Sequence, residues 1–385
     1  MPLALSRRCD RSVQSEIRAM SVECEQLAGL NLAQGVCDTP IPTPVCLGAQ
    51  RAVGDGINSY TRFDGLIELR CAIAQKLRRY NAISADPESG IVVSCGSTGS
   101  FYAACLALLN PGDEVLLFEP FYGYHLNTLL AVEAVPAFIR MQAPGWTFAK
   151  ADIEKAITRK TRAIVVNTPS NPSGKVYTRQ ELQWIADVAE KHDLFVLTDE
   201  IYEYILYENR KHLSPACLPG MAERTITISG FSKTFSITGW RIGYSACHAK
   251  WAQMIGYMSD LIYVCAPAPL QAGVARGLAE LGDDYYDSLR KDFERKRSVI
   301  CAALDKAGLT PCTPQGAYYV LADINRLPGK TGKERAMHLL RSIGVACVPG
   351  EAFFHNGQDG AGMGRFCFAK TDEELEDACR RLARL

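Results

Sequence analysis

The sequence predicts an α/β fold with a mostly parallel sheet, and three observations carry that prediction. Short runs rich in Val, Ile and Leu alternate with longer stretches of helical periodicity. The runs are apolar along their whole length, as strands covered on both faces must be. Segments of Gly, Pro, Ser and Thr follow their carboxyl ends, where open α/β sheets carry ligands.

In chain order the strand-like runs are GIVVSC (90–95), DEVLLFEP (113–120), RAIVVNTP (162–169), LFVLTDE (194–200) and RTITIS (224–229). Between and around them, LIELRCAIAQKLRRY (66–80), SFYAACLALL (100–109) and RQELQWIADVAEKH (179–192) repeat apolar residues at helical spacing. From about residue 283 the texture changes to a long amphipathic helix, then GAYYVLADI (316–324), a helix at 332–344, VACVPG (345–350), RFCFAK (365–370) and a charged last helix at 372–385. This reads as a smaller α+β domain. The expected organisation is residues 1–45 as an N-terminal segment that folds back on the small domain, 46–282 as the large domain and 283–385 as the small one.

Composition narrows the function. Lys plus Arg and Asp plus Glu are both 42, so the chain lacks the excess cation of a nucleic-acid binder. No run of about 20 apolar residues reads as a membrane span, and MPLALSRRCD does not read as a secretory signal. The fifteen Cys are scattered, without a CxxC, and are expected as free thiols in a reducing cytoplasm. Two motif fragments fail. Gly329–Thr331 (GKT) has Ile324 where a P-loop needs Gly, and GAGMGR at 360–365 has Arg365 where a dinucleotide fingerprint needs its third Gly. No GxSxG occurs and no His pair has metal-ligand spacing, so no metal is expected.

Four strand ends carry distinctive polar groups. After GIVVSC comes GSTGS, where Gly96 and Gly99 permit a tight turn and Ser97 and Thr98 stand at a helix N-terminus. Such an end is a phosphate seat, although the same residues also cap ordinary helices. RAIVVN ends in the rigid turn TPSNPSG, which presents Asn171. LFVLTDE puts Asp199 at a strand end, with Tyr202 three residues on. TITIS runs into GFSKTFSITGWRIGY, where Lys233 lies among small and apolar residues and Arg241 follows eight positions later. Burial of such a lysine lowers its pKa and makes the amine nucleophilic toward an aldehyde. Arg241 is a permanent planar cation suited to phosphate. An amine, a phosphate clamp and a carboxylate on neighbouring strand ends match what pyridoxal phosphate requires.

SGFSKTFSITGWRIGY resembles the cofactor-lysine signature of class I/II aminotransferases, the fold-type-I pyridoxal-phosphate enzymes, and NTPSNPSG and TDEIY stand upstream in the order that family shows. The likeness runs from NLAQGVCDTPIP to GRFCFAK. It implies a seven-stranded large-domain sheet between helices and pyridoxal 5'-phosphate as cofactor. Lys233 would then carry the cofactor and shuttle protons. Asp199 would pair with the pyridine nitrogen, with Asn171 and Tyr202 on the phenolic oxygen. Ser97, Thr98, Ser232 and Arg241 would hold the phosphate, and Tyr122 would stack on the ring. Arg365, helped by the backbone of Gly35, would grip the substrate α-carboxylate. Tyr60 would reach the phosphate of a neighbouring subunit, which implies a homodimer with shared sites. One position departs from the pattern: Gly230 stands where some relatives place a phosphate-binding Ser, leaving the adjacent Ser229 as the expected substitute. Tyr263 is expected near the partner's pocket.

The activity implied is ping-pong transfer of an amino group from an L-amino acid to a 2-oxo acid. RFCFAK and EPFYGYH are reminiscent of kynurenine/glutamine-type and aromatic transaminases, so bulky, apolar or aromatic donors are expected. The alternative is another pyridoxal-phosphate reaction, such as a C–S β-lyase, which shares the same early chemistry.

Overall fold

The computed structural model describes residues 3–6, 8–9 and 15–385. Its strands are β1 (Leu30–Asn31), β2 (Ile91–Cys95), β3 (Glu114–Glu119), β4 (Val135–Arg140), β5 (Thr161–Asn167), β6 (Phe195–Asp199), β7 (Thr225–Gly230), β8 (Ile242–Ala246), β9 (Pro311–Cys312), β10 (Tyr319–Asp323), β11 (Val345–Ala346), β12 (Val348–Pro349) and β13 (Met363–Cys367). The helices are α1 (Glu16–Gln26), α2 (Thr43–Gly54), α3 (Ile67–Lys76), α4 (Gly96–Leu108), α5 (Gly123–Ala131), α6 (Lys150–Ala156), α7 (Arg179–Lys191), α8 (Ala249–Tyr263), α9 (Ala268–Glu280), α10 (Asp283–Lys306), α11 (Gly332–Ile343) and α12 (Asp372–Leu382).

Seven strands form the large sheet in the order β2-β8-β7-β6-β5-β3-β4. Every pairing is parallel except the two made by β8, which runs against β2 and β7. Val115–Leu117, Ala163–Val166 and Val196–Leu197 are almost wholly buried, which is why these strands read as continuous apolar runs. Helix α7 shows how the covering layer is specified. Thr178 Oγ1 accepts from the Glu181 amide and Glu181 Oε2 accepts from the Thr178 amide, closing a capping box. Leu182, Ile185, Ala186 and Ala189 then bury one stripe.

Two strands of this sheet were not marked in the sequence. Strand β4 lies at the edge and carries a half-exposed Val135 and Pro136, so it lacks the apolar continuity of its neighbours. Strand β8 is the antiparallel insert, and its Gly243 and Tyr244 look like part of the preceding turn. The second sheet, β12-β13-β10-β9, is antiparallel. Beside it β1 pairs in parallel with β11, Leu30 opposite Val345, so residues just after α1 sit against the C-terminal part of the chain.

Behind the end of β6 a buried polar network holds the turn that follows Asp199. Glu203 meets Lys76 Nζ at 2.5 Å and accepts from Asn81 Nδ2 at 2.7 Å. Glu200 accepts from Thr198 Oγ1 and Ser214 Oγ and pairs with His212 Nε2 at 2.7 Å. Burial pushes the Glu203 carboxyl upward, but the charges of Lys76 and His212 outweigh it and hold the group below the usual 4.5. A depressed folded pKa means stability present above pH 4.5 and lost as pH falls through the folded value.

Lys76→Ala leaves that carboxylate buried without its main counter-charge. It should cost about 3–5 kcal/mol in urea unfolding followed by circular dichroism. Adding Glu203→Gln to the same chain should recover much of the loss. If the single variant unfolds at the parent's midpoint, the network does not brace the turn.

Candidate active site

The carboxyl ends of β2, β5, β6 and β7 open into one cleft of about 450 Å³, closed on its other side by α1, the segment after β1, and residues of β10 and β13. Eleven residues singled out from the sequence line it: Gly35, Ser97, Thr98, Tyr122, Asn171, Asp199, Tyr202, Ser232, Lys233, Arg241 and Arg365. Tyr60 does not. Its ring is 82% exposed, away from the cleft of its own chain.

The turn from β2 into α4 is built for close backbone approach. Gly96 sits at φ +73°, and a Cβ there would come within 2.4 Å of the Arg241 guanidinium. On β8, a Cβ at Gly243 would fall 2.5 Å from the Ser97 amide nitrogen. Ser97 and Thr98 thus lie in the first turn of α4, whose amides have no partner within the helix. Arg241 adopts a left-handed φ of +58° and donates from Nη1 to the Thr238 carbonyl. That conformation is costly for a residue with a Cβ, and it sets the guanidinium over the mouth of the α4 turn.

Lys233 follows β7 by a short turn. Its Nζ donates to the Gly35 carbonyl at 3.1 Å and stands 5.7 Å from the centre of the Tyr318 ring. Burial lowers its pKa from the usual 10.5; the nearby thiols of Cys37 and Cys367 pull the other way, and Arg241 and Arg365 add to the lowering. Gly35 must be glycine, because a Cβ there would collide with the Tyr319 hydroxyl at 1.7 Å.

Asp199 ends β6, buried, with Oδ2 at 3.0 Å from His125 Nε2 and Oδ1 accepting from the Ile201 amide. His125 is wedged between the rings of Phe101 and Tyr122. Tyr202 donates to the Tyr319 hydroxyl at 3.1 Å, and burial drives its pKa well above 10. The Tyr319 hydroxyl is pushed up to about 12, by burial first.

Arg365 on β13 has no exposed surface. Its Nη1 donates to Asn171 Oδ1 at 2.8 Å, its Nη2 to the Ala33 carbonyl at 2.5 Å, and its plane lies 4.2 Å from the Tyr319 ring centre. Its Nε is buried with no partner, and among the described residues no carboxylate pairs with it. Among the described residues, four cations, Arg18, Lys233, Arg241 and Arg365, line the cleft against a single carboxylate, Asp199.

The structure corrects one expectation. Ser229 cannot replace a phosphate-binding Ser at position 230, because its Oγ donates to Glu203 and to the Glu200 carbonyl on the far side of the turn. A Cβ at Gly230 would meet Gly243 Cα at 3.0 Å, which leaves that position little room for a side chain. Sequence reasoning passed over His125, Tyr318, Tyr319 and the α1 residues Ile17 and Arg18. His125 lies one helical turn after Tyr122, and that spacing was the available signal.

Strand-end residues of four kinds, meeting around a half-buried lysine in an α/β sheet, define the site of an enzyme that works through an aldehyde cofactor. The family model for class I and II aminotransferases matches residues 28–382, so the chain belongs to that family. Aromatic-amino-acid aminotransferase 2 of Thermococcus litoralis is 33% identical over all of this chain and 98% of its own length. Kynurenine–oxoglutarate transaminase 3 of Rattus norvegicus is 34% identical over 91% of this chain and 83% of its own. The solved N-succinyldiaminopimelate aminotransferase of Mycobacterium tuberculosis superposes with a TM-score of 0.95 at 33% identity, covering 99% of this chain and 100% of that one. The chain is accordingly a pyridoxal-phosphate-dependent aminotransferase of fold type I.

The residues fit that cofactor: a glycine-cleared helix start beside an arginine for its phosphate, and an amine of lowered pKa for its aldehyde. Because Lys233 loses its proton more easily than a free lysine, its capture by the vitamer should follow a pH profile whose midpoint lies below 10.5. Trapping with borohydride across a pH series measures it. A midpoint at or above the free-lysine value would remove burial as the activating cause.

Proposed function

We propose that the enzyme transfers the amino group of a bulky, apolar or aromatic L-amino acid to a 2-oxo acid by a ping-pong mechanism, as a homodimer in the cytoplasm. The observation that carries this reading is Arg365: a fully buried guanidinium, unpaired by any carboxylate among the described residues, facing the same cleft as the Lys233 amine. Burying an uncompensated charge costs several kcal/mol, and a substrate α-carboxylate arriving there offsets it. Two-pronged geometry suits a carboxylate, and the bonds to Asn171 and Ala33 fix the guanidinium before the substrate enters.

When bound, pyridoxal phosphate supplies an electron sink for the electrons of the broken Cα–H bond. The chain's own residues would do the rest. Ser97, Thr98, Ser232 and Arg241 would hold the phosphate, Asp199, itself oriented by His125, would face the ring nitrogen, and Asn171 and Tyr202 would hold the phenolic oxygen. The Lys233 amine would take the proton from the substrate Cα and deliver it one carbon away. Ping-pong order follows from one cleft serving donor and acceptor in turn.

The preference for bulky donors is supported by the aromatic walls of Tyr122, Tyr124 and Tyr319 and by Ile17 and Ile201. The dimer is supported by surface chemistry. Tyr60 and Leu261 are 82% and 80% exposed, and Tyr257 and Ile262 of α8 are partly so, an apolar area that a second copy would cover. The fifteen free thiols suit a reducing compartment.

Purified enzyme given single L-amino acids should convert them to 2-oxo acids with a matching change in the cofactor's absorption. Lys233→Ala should abolish turnover with the fold intact, and Asp199→Ala should lower kcat about 10²- to 10³-fold. Release of ammonia with pyruvate from cysteine conjugates, in place of amino transfer, would favour the β-lyase. Full turnover by Lys233→Ala would end the assignment.

A further inference from the structure

Glu119 ends β3 with its side chain out of water, 1% exposed, and it does not line the cleft. Its Oε1 accepts from the His355 amide at 2.5 Å and faces His355 Nδ1 at 2.9 Å. His355 lies in the loop 350–362, which joins β12 to β13, so a carboxylate of the seven-stranded sheet holds a loop of the four-stranded one. Further contacts run along the same seam. The Phe121 amide donates to the Phe353 carbonyl at 2.9 Å, and the His355 ring stacks on Phe138 at 4.5 Å. Arg140 covers the Phe354 ring at 4.7 Å and pairs with Asp359 at 2.5 Å. The loop borders the guanidinium of the cleft at both of its ends. It leaves β12, where Val348 pairs with Arg365, and rejoins β13 two residues before Arg365. Near its start the buried Phe353 brings a ring to 5.2 Å from that guanidinium, a second one beside Tyr319.

We propose that Glu119 is a positioning residue for substrate binding: by fixing the loop it keeps Phe353 and the start of β13 in place, and so holds Arg365 in line for the α-carboxylate. This rests on the reading of Arg365 as the carboxylate site. Among the described residues no ion pair locks Arg365, whose named acceptors, Asn171 and the Ala33 carbonyl, are neutral. Ring packing therefore decides how far the guanidinium can swing. A carboxylate withdrawn from water adds little net stability to a seam, because desolvation offsets its attraction. It does impose direction: the backbone N–H and the imidazole of one residue meet a single oxygen, and charge-assisted bonds of this kind are short and oriented. The neighbouring Arg140–Asp359 pair, 40% and 35% exposed, is screened by water and holds the loop less firmly.

Calorimetric titration of the holoenzyme with 3-phenylpropanoate, a non-reacting monocarboxylate, measures the carboxylate site, and titration of the apoenzyme with pyridoxal phosphate measures the cofactor seat. Glu119→Ala should weaken 3-phenylpropanoate about ten- to thirtyfold. It should leave the cofactor's dissociation constant within about twofold, since the residues assigned to the phosphate and the aldehyde lie outside the loop. Glu119→Gln, whose amide oxygen still accepts the His355 N–H, should recover most of the loss. His355→Ala, made at a ring that is 50% exposed, spares the core and should weaken 3-phenylpropanoate about three- to tenfold. KM for the amino donor should rise in the same order, with kcat moving less. Unchanged 3-phenylpropanoate binding in both Ala variants overturns the proposal. Equal weakening of both ligands together with a lowered urea midpoint also overturns it, because that is general loosening. Arg365→Ala is the reference: if it binds 3-phenylpropanoate as the parent does, the reading of the carboxylate site falls first. If it does not, and Glu119→Ala binds normally, only the role of Glu119 falls.

Discussion

The burial of Arg365 is the constraint around which the site is arranged. A guanidinium cannot shed its charge, so a fold that removes it from water must supply acceptors or accept a heavy cost. The fold supplies two neutral acceptors, Asn171 Oδ1 and the Ala33 carbonyl, and the face of Tyr319, and it leaves Nε bare. Half-compensation of this kind is a poor way to stabilise a core. It is a good way to hold an anion site ready, because the chain has already met the cost of desolvation before the ligand arrives.

The same constraint explains why the cleft draws on distant parts of the chain. Arg365 comes from the antiparallel sheet, Asn171 from the turn after β5, and Ala33 and Gly35 from the segment after β1. Gly35 accepts hydrogen bonds from both Lys233 and Tyr318, so the carbonyl that orients the lysine belongs to the strip that carries the Arg365 acceptor. The Arg365 guanidinium and the Lys233 amine are therefore both held by one short stretch of backbone. Its glycine is dictated by the Tyr319 hydroxyl, which leaves no space for a Cβ.

Much of this was legible in the sequence for identifiable reasons. Strands β2, β3, β5, β6 and β7 are buried on both faces, and such strands betray themselves as unbroken apolar runs. Lys233, Asp199 and Arg241 stood out because a charge at the end of an apolar run has no cheap structural explanation. What escaped the sequence was whatever acts through partners far away in the chain. His125 is one residue in an aromatic segment until the fold sets it against Asp199, 74 positions later. Tyr318 and Tyr319 read as ordinary strand aromatics, and Ser229 looked available until its hydroxyl was seen bonded to Glu203. Helix α1 carries a weak apolar stripe, and its cleft face is defined only by what it docks against.

The placement of Asp199 is the last step of that argument. A carboxylate at the end of a central strand needs its direction fixed, and Asp199 already gives Oδ1 to the Ile201 amide. Two devices bear on it. His125 of α5, packed against the rings of Phe101 and Tyr122, meets Oδ2. The Glu200–His212 and Glu203–Lys76 pairs fix the turn that begins one residue later. The turn carries Tyr202 as well, so a single buried polar network sets the direction of both side chains. The polar interior here is not a store of stability, since ion pairs of this kind roughly break even against apolar packing. Its value lies in geometry: it denies the strand end any other arrangement, which an apolar plug of equal volume would not do.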